Sequence, residues 1–312
     1  MIGQGFVAPT LMAYASAQDQ RRFLPALASG EAIWCQMFSE PGAGSDLSGV
    51  RLRATRCEGG WRLNGQKAWT SGAHHSAYGI VLTRTDPDAP KHKGMTMFWL
   101  DMASPGLQVR PIRQLSGASH FNEVFFDNVF VPDVQRLGGI GGGWQVALTT
   151  LSNERMTLGA STPLGFDEIF ELAFLPGPDG QALIDGDAAL RERLAEWYAK
   201  VCGMRHGVYR ILATLESGGQ PGAEVEVGKL VGARITQDIA ACGLDLLGAR
   251  GRSAGVDDLA SRFHSMFCFG AIHRLEGGTD EVLRNILAER ALGLPPEPRS
   301  DRGPFRDILI AP

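Results

Sequence analysis

The chain has 312 residues, 44% hydrophobic and 21% charged, with a formal net charge of -4. Such a chain is expected to fold as about two packed units, and the balance excludes disorder as the default reading. It carries neither a Lys/Arg run nor a basic-aromatic pattern, which argues against a nucleic-acid binder, and no window reaches the roughly 18 apolar residues of a membrane span. Five scattered cysteines without C-x-x-C spacing argue against a disulfide framework or a zinc site. With no basic, apolar leader at the N-terminus, they point to a reducing cytoplasm.

In chain order, residues 1–35 read as helical fragments: "AQDQRRFLPALASGE" places Phe23, Leu24 and Leu27 together and stops at Gly30. Residues 36–137 read as short strands. Val50, Leu52 and Ala54 alternate, "EGG" at 58–60 breaks the chain, "WRLNGQKAW" reads as a hairpin turning at Asn64-Gly65, and "YGIVLTRT", "MTMFWLDM", "LQVRPI" and "EVFFDNVFV" follow as further strands. The glycines of "GGIGGG" form a linker, since the third glycine of a G-x-G-x-x-G begun at Gly139 would fall on Trp144. From 138 to 296 the period is helical, and residues 297–312 form a tail. The last helix is expected behind Thr279 as N-cap, with Asp280 and Glu281 in its first turn and a stop at Gly293. Strands and helices are segregated, which predicts an α+β fold with an antiparallel β domain followed by a helical bundle.

"CQMFSEPGAGSDLSG" concentrates glycines directly after an apolar run. Gly42, Ala43, Gly44 and Ser45 offer backbone N–H groups with little side-chain obstruction, the requirement for close approach to a pyrophosphate or a flavin edge; Ser39 and Ser45 add hydroxyls. A plain turn between strands would explain the same composition.

"FSEPGAGSD", then "GQKAWTSG", then "EGGTDEVLRNILAERALGLP" resemble, in that order, the acyl-CoA dehydrogenase family, with similarity running from near residue 8 to near 296. The resemblance implies a short N-terminal helical segment, a middle β domain and a C-terminal four-helix bundle. It implies FAD, an acyl-CoA substrate, β-oxidation of fatty acids, an electron-transfer flavoprotein or similar acceptor, and a homo- or hetero-oligomer. Phe38, Ser39, Gly44 and Ser45 would then lie along the cofactor, with Ser45 also near the substrate. Trp69 would cover the flavin ring and Ser71 would reach its edge. Gly248, Thr279 and Glu281 match further positions that touch FAD in relatives.

The family reaction takes an α-proton with a Glu carboxylate, and relatives place that Glu in one of two positions. The more frequent one is occupied here by Gly277, whose N–H would polarise the thioester carbonyl. The other falls on Glu154, followed by Arg155, which would support the CoA side. The apolar periodicity of the segment agrees. Ala147, Leu151, Glu154 and Leu158 share one helical face, so Glu154 interrupts an apolar stripe, and burial raises a carboxylate's pKa toward the range of a general base. Glu276 is the alternative base. Two departures set up a competing expectation, a non-catalytic or partner-dependent subunit or remnant. Helices that open the family chain have no counterpart before residue 1, and "ELAFLPGPDGQALIDGDAAL" stands where relatives carry an Arg-x-x-Phe-Gly segment.

Overall fold

The computed structural model describes residues 1–176, 180–219, 221–222, 224–248, 259–298, 301 and 303–308. The chain divides into two compact units, Met1–Glu154 with Glu297–Pro312, and Arg155–Pro296. The division falls inside a helix and not at the glycine-rich linker.

The first unit opens with a π-turn, Gly3–Val7, running into α1 (Ala8–Tyr14). Helix α2 (Ala17–Ser29) starts where Ser16 accepts from Asp19 N and stops at Gly30, which adopts φ 78. The strands are β1 (Trp34–Met37), β2 (Arg53–Cys57), β3 (Gly60–Ser71), β4 (Tyr78–Arg84), β5 (Met95–Asp101), β6 (Leu107–Ile112), β7 (Phe121–Pro132) and β8 (Arg136–Leu137). Among the described residues they form one sheet in the order β6-β7-β3-β2-β4-β5-β8, with β1 added against β4. Pairing is mainly antiparallel, but β1 runs parallel to β4, as does one bridge from β2. Helix α3 (Gly143–Gly159) begins in this unit. Two apolar clusters fill it. One joins Val7, Leu11, Phe23 and Leu27 to Trp34, Ile80, Met97 and Ala147; the other is built on Trp61, Leu63, Phe98, Val124 and Val129. Thr10 and Thr150 share a buried hydroxyl contact of 2.8 Å, and Tyr14 bonds Thr149 at 2.9 Å, which fixes α3 against α1.

The hairpin expected at Asn64-Gly65 is not there. β3 runs unbroken through it, and the turn sits at Glu58-Gly59, where Gly59 takes φ 73 between Cys57 and its partner Gly60. Gly65 instead marks a β-bulge against β7. It has φ 140, and a Cβ there would meet Leu52 at 3.0 Å, so the glycine serves close backbone approach.

The second unit contains α4 (Phe166–Phe174), α5 (Leu183–Gly186), α6 (Ala188–Glu216), α7 (Glu224–Leu247), α8 (Leu259–Gly270) and α9 (Asp280–Ile286). Ile169, Leu172, Leu194, Trp197, Val201, Ile235, Ile239 and Phe263 form its core. The cap expected at Thr279 is present: its hydroxyl accepts from Val282 N at 3.2 Å.

Candidate functional site

Parallel pairing with β4 draws β1 into the sheet, and the chain leaves it at Phe38, which is buried. Glu40 and Ala43 exchange backbone hydrogen bonds of 3.0 and 3.1 Å, closing a tight turn over Pro41 and Gly42. Gly44 and Ser45 are exposed, and a Cβ on Gly42 or Gly44 would meet nothing within 4 Å. The loop therefore presents an open backbone face. Its other side is anchored by charge. The Glu40 carboxylate accepts from Arg51 N at 2.7 Å, Leu52 N at 2.9 Å and Lys67 Nζ at 2.8 Å, and the same ammonium donates to Phe38 O at 2.8 Å. Lys67 is wholly buried; burial pushes its pKa down to about 8, against the opposing pull of Glu40.

Ala68 N donates to Ser39 O at 2.9 Å, so the loop is tied to β3 one residue before Trp69. Trp69 has φ 60 and is 59% exposed, within the register shift between Lys67 and Thr70. A left-handed backbone at a bulky residue costs about 1–2 kcal/mol, and here it holds a large apolar ring out in solvent. Phe121 meets that ring edge-on, with centroids 6.3 Å apart. Ser71 is half-buried, paired in register with Phe121.

Glu154 lies half-buried on α3. Gln36 Nε2, from β1, donates to its Oε2 at 3.1 Å. The strand that feeds the loop thus also grips the carboxylate. Gln36 Oε1 and the neighbouring platform's Thr70 Oγ1 are buried and lack a hydrogen-bond partner among the described residues. Orphaned acceptors and hydroxyls of this kind invite a bound polar group.

In the second unit Glu276 is engaged by His273, Nδ1 to Oε1 at 2.6 Å. Gly277 and Gly278 follow with φ 63 and 99. Lys229 Nζ donates to Gly278 O at 2.7 Å, and Asp280, behind the Thr279 cap, binds Arg274 Nε at 2.7 Å. This backbone kink is therefore held from two sides. Glu281 is exposed, and Gly248 closes α7 at φ 57. The "ARG" that follows Gly248 lies outside the described residues. Arg155 faces Glu226 at 3.4 Å, an ion pair of two largely buried side chains.

Phe38, Ser39, Gly44, Ser45, Trp69, Ser71 and Glu154 belong to the first unit, and Arg155, Gly248, Glu276, Gly277, Thr279 and Glu281 to the second. Sequence reasoning passed over Gln36, Lys67, Lys229 and His273. Only His273 carried a readable signal, its i, i+3 spacing to Glu276. Among the described residues no group of three or more His, Cys, Asp or Glu is placed to hold a metal, and no helix is long and apolar enough to cross a membrane.

Residues 35–129 match the family model of the acyl-CoA dehydrogenase middle domain, and residues 141–292 that of the acyl-CoA dehydrogenase C-terminal domain. The chain belongs to the acyl-CoA dehydrogenase family, a family of oxidoreductases. It is 43% identical over 293 residues to the acyl-CoA dehydrogenase FadE34 of Mycobacterium tuberculosis, covering 93% of this chain and 39% of that protein. It is 38% identical over 299 residues to IpdE1 of the same organism, covering 95% of this chain and 75% of IpdE1. The solved structure of the Tcur3481-Tcur3483 steroid ACAD G363A variant superposes with a TM-score of 0.84 at 30% identity, covering 95% of this chain and 78% of that one. The chain thus spans less than half of FadE34 and about three quarters of the other two.

Proposed function

We propose that this chain carries out FAD-dependent α,β-dehydrogenation of an acyl-CoA thioester with Glu154 as the base. The observation that carries this reading is Glu154 held by Gln36 of the strand that opens into the glycine-rich loop. When bound, FAD would supply the acceptor for the β-hydride. The residues present fit such a group: exposed backbone at Gly42, Gly44 and Ser45, an exposed aromatic ring held by strain at Trp69, and buried polar atoms without partners among the described residues at Gln36 and Thr70.

On this reading Trp69 would cover one face of a bound flavin ring, Ser71 and Ser39 would offer it hydrogen bonds, and Gly44 and Ser45 would receive a phosphate. Gln36 orients the Glu154 carboxylate, which takes the α-proton at Oε1 or Oε2. The Gly277 N–H hydrogen-bonds the thioester carbonyl and so lowers the cost of α-carbanion character. Glu276 is the weaker candidate base because its carboxylate already serves His273. Arg155, paired to Glu226, acts on the CoA side through position and charge. Bound FAD would supply the redox chemistry, and an electron-transfer flavoprotein or a similar carrier would serve as the acceptor.

The visible spectrum of the purified chain without oxygen, before and after CoA thioesters of straight, branched and steroid acyl groups, tests the reading. Steroid thioesters are included because the similar solved structure is that of a steroid ACAD. Bleaching of a flavin band by one thioester, lost in Glu154→Gln that keeps its FAD, is the expected result. Flavin bleached equally in Glu154→Gln refutes the assignment of the base. A second reading, in which the site needs a partner chain, is favoured by the pairing of two proteins, Tcur3481 and Tcur3483, in that steroid ACAD. Its mark is a colourless chain that gains flavin only when a second subunit is co-expressed.

A further inference from the structure

The C-terminal tail packs on the first unit beside the glycine-rich loop. Pro304 bridges Pro90, Phe305 N donates to Ala89 O at 3.0 Å, Arg306 N donates to Pro87 O at 3.0 Å, and Arg306 pairs with Asp88 at 2.7 Å. Phe305 is 6% exposed, and its ring is covered by the Arg84 guanidinium, 3.8 Å from the centroid, with Arg51 at 5.4 Å. Arg84 itself donates to Ser48 O at 2.6 Å, Val50 O at 3.3 Å and Lys91 O at 2.6 Å, so it stitches the segment after the loop to the hairpin beneath the tail. Lys91 completes the connection: its ammonium contacts both Asp46 carboxylate oxygens, at 3.0 and 3.1 Å, and also Asp301. One buried lysine is therefore shared between Asp46 of the glycine-rich loop and the tail.

We propose that Asp301 and residues 303–307 act as a strap, with Asp301 and Phe305 as positioning residues for the segment at 42–50, and thereby for the cofactor phosphate, a step that rests on the flavin reading above. The ring of Phe305 shields Arg84 from water and binds its charge, which keeps the guanidinium committed to the carbonyls of Ser48 and Val50. Asp301 holds the Lys91 ammonium in place to meet Asp46. Without the strap Arg84 and Lys91 become solvated, and the loop loses these two cationic anchors while keeping Lys67 and its sequence.

The test uses the full chain with Phe305→Leu, which keeps apolar volume but removes the aromatic face, Phe305→Tyr, which restores it, and Asp301→Asn, a partly exposed change that leaves the core intact. Two readouts are taken: amide hydrogen exchange of residues 42–50 in the chain without added flavin, and the dissociation constant for FAD. Phe305→Leu and Asp301→Asn should each raise exchange in 42–50 by about tenfold with little change in β3 or β7, and weaken FAD several-fold; Phe305→Tyr should do neither. Unchanged exchange in 42–50 in both variants overturns the strap. Raised exchange with unaltered FAD affinity overturns its positioning role. Should the parent chain bind no flavin, the exchange readout still decides the strap, and that failure belongs to the flavin reading.

Discussion

Lys67→Met is the most informative single substitution in the first unit. The ammonium is fully buried between Glu40 and Phe38 O, and its pKa falls from 10.5 to about 8. That fall means the folded site disfavours the charged lysine by about 3 kcal/mol relative to the unfolded chain. The sign follows from proton counting. Below about pH 8 both states hold the proton and the penalty is fully present. Between about 8 and 10.5 the unfolded chain keeps it while the folded chain has released it, so stability rises with pH across this window. Methionine has no such proton. At pH 7 Lys67→Met should cost about 1–3 kcal/mol, because Phe38 O loses its donor and Glu40 keeps only its two backbone N–H groups. By pH 10 the parent should have gained up to about 3 kcal/mol on the variant. Paired denaturant titrations of the two chains from pH 7 to 10 read this difference directly, since all other titrations cancel. A gap that stays constant over the range refutes the account of Lys67 as a charge buried at a cost.

Trp69→Gly should leave the flavin-free chain as stable as the parent or about 1 kcal/mol more stable, since it relieves φ 60 at an exposed residue, while FAD affinity drops more than about tenfold; thermal melts and flavin titration check the two halves. Gln36→Leu removes a donor that orients the Glu154 carboxylate, so flavin reduction by substrate should slow by about tenfold in stopped-flow while flavin content is unchanged. An unaltered rate counts against the contact. Gly143→Ala would put a Cβ 2.8 Å from the Thr96 backbone, and should cost about 1–3 kcal/mol by thermal melt as the start of α3 is pushed off β5.

Legibility followed local chemistry. The end of α2 at Gly30 and the start of α9 at Thr279 were readable because capping is decided by residues a few positions apart. The segregation of strands from helices was readable from period alone. The hairpin was misread because Asn64-Gly65 is a strong turn dipeptide, yet Glu58-Gly59 lay within reach, and the sheet needed glycine at 65 for contact with Leu52. In the site, loop and aromatic platform were legible as motifs, but their fixation was not. A lysine in a strand reads as a solvated side chain, and only the fold shows Lys67 inside, spanning Glu40 and Phe38. Likewise nothing local announces that Trp69 is strained or that Gln36 faces Glu154, since both depend on a register and a helix placement set far along the chain.

The parallel ladder of β1 on β4, with Cys35 opposite Gly79, Gln36 opposite Ile80 and Met37 opposite Val81, constrains how this chain can drift over generations. Its side chains alternate, so gaining or losing a single residue between Trp34 and Phe38 would exchange the inward and outward sets and swing the amide away from the carboxylate it serves. The bend at Gly30 and Glu31 can absorb a length change at smaller cost, because the bonds to the β4 side begin at Ile33, whose carbonyl accepts from Ala77 N at 2.9 Å and Tyr78 N at 3.4 Å. Insertions among descendants should therefore gather upstream of Ile33 and stop abruptly at it, leaving a gapless block in which the catalytic candidate's tether is inherited together with the loop.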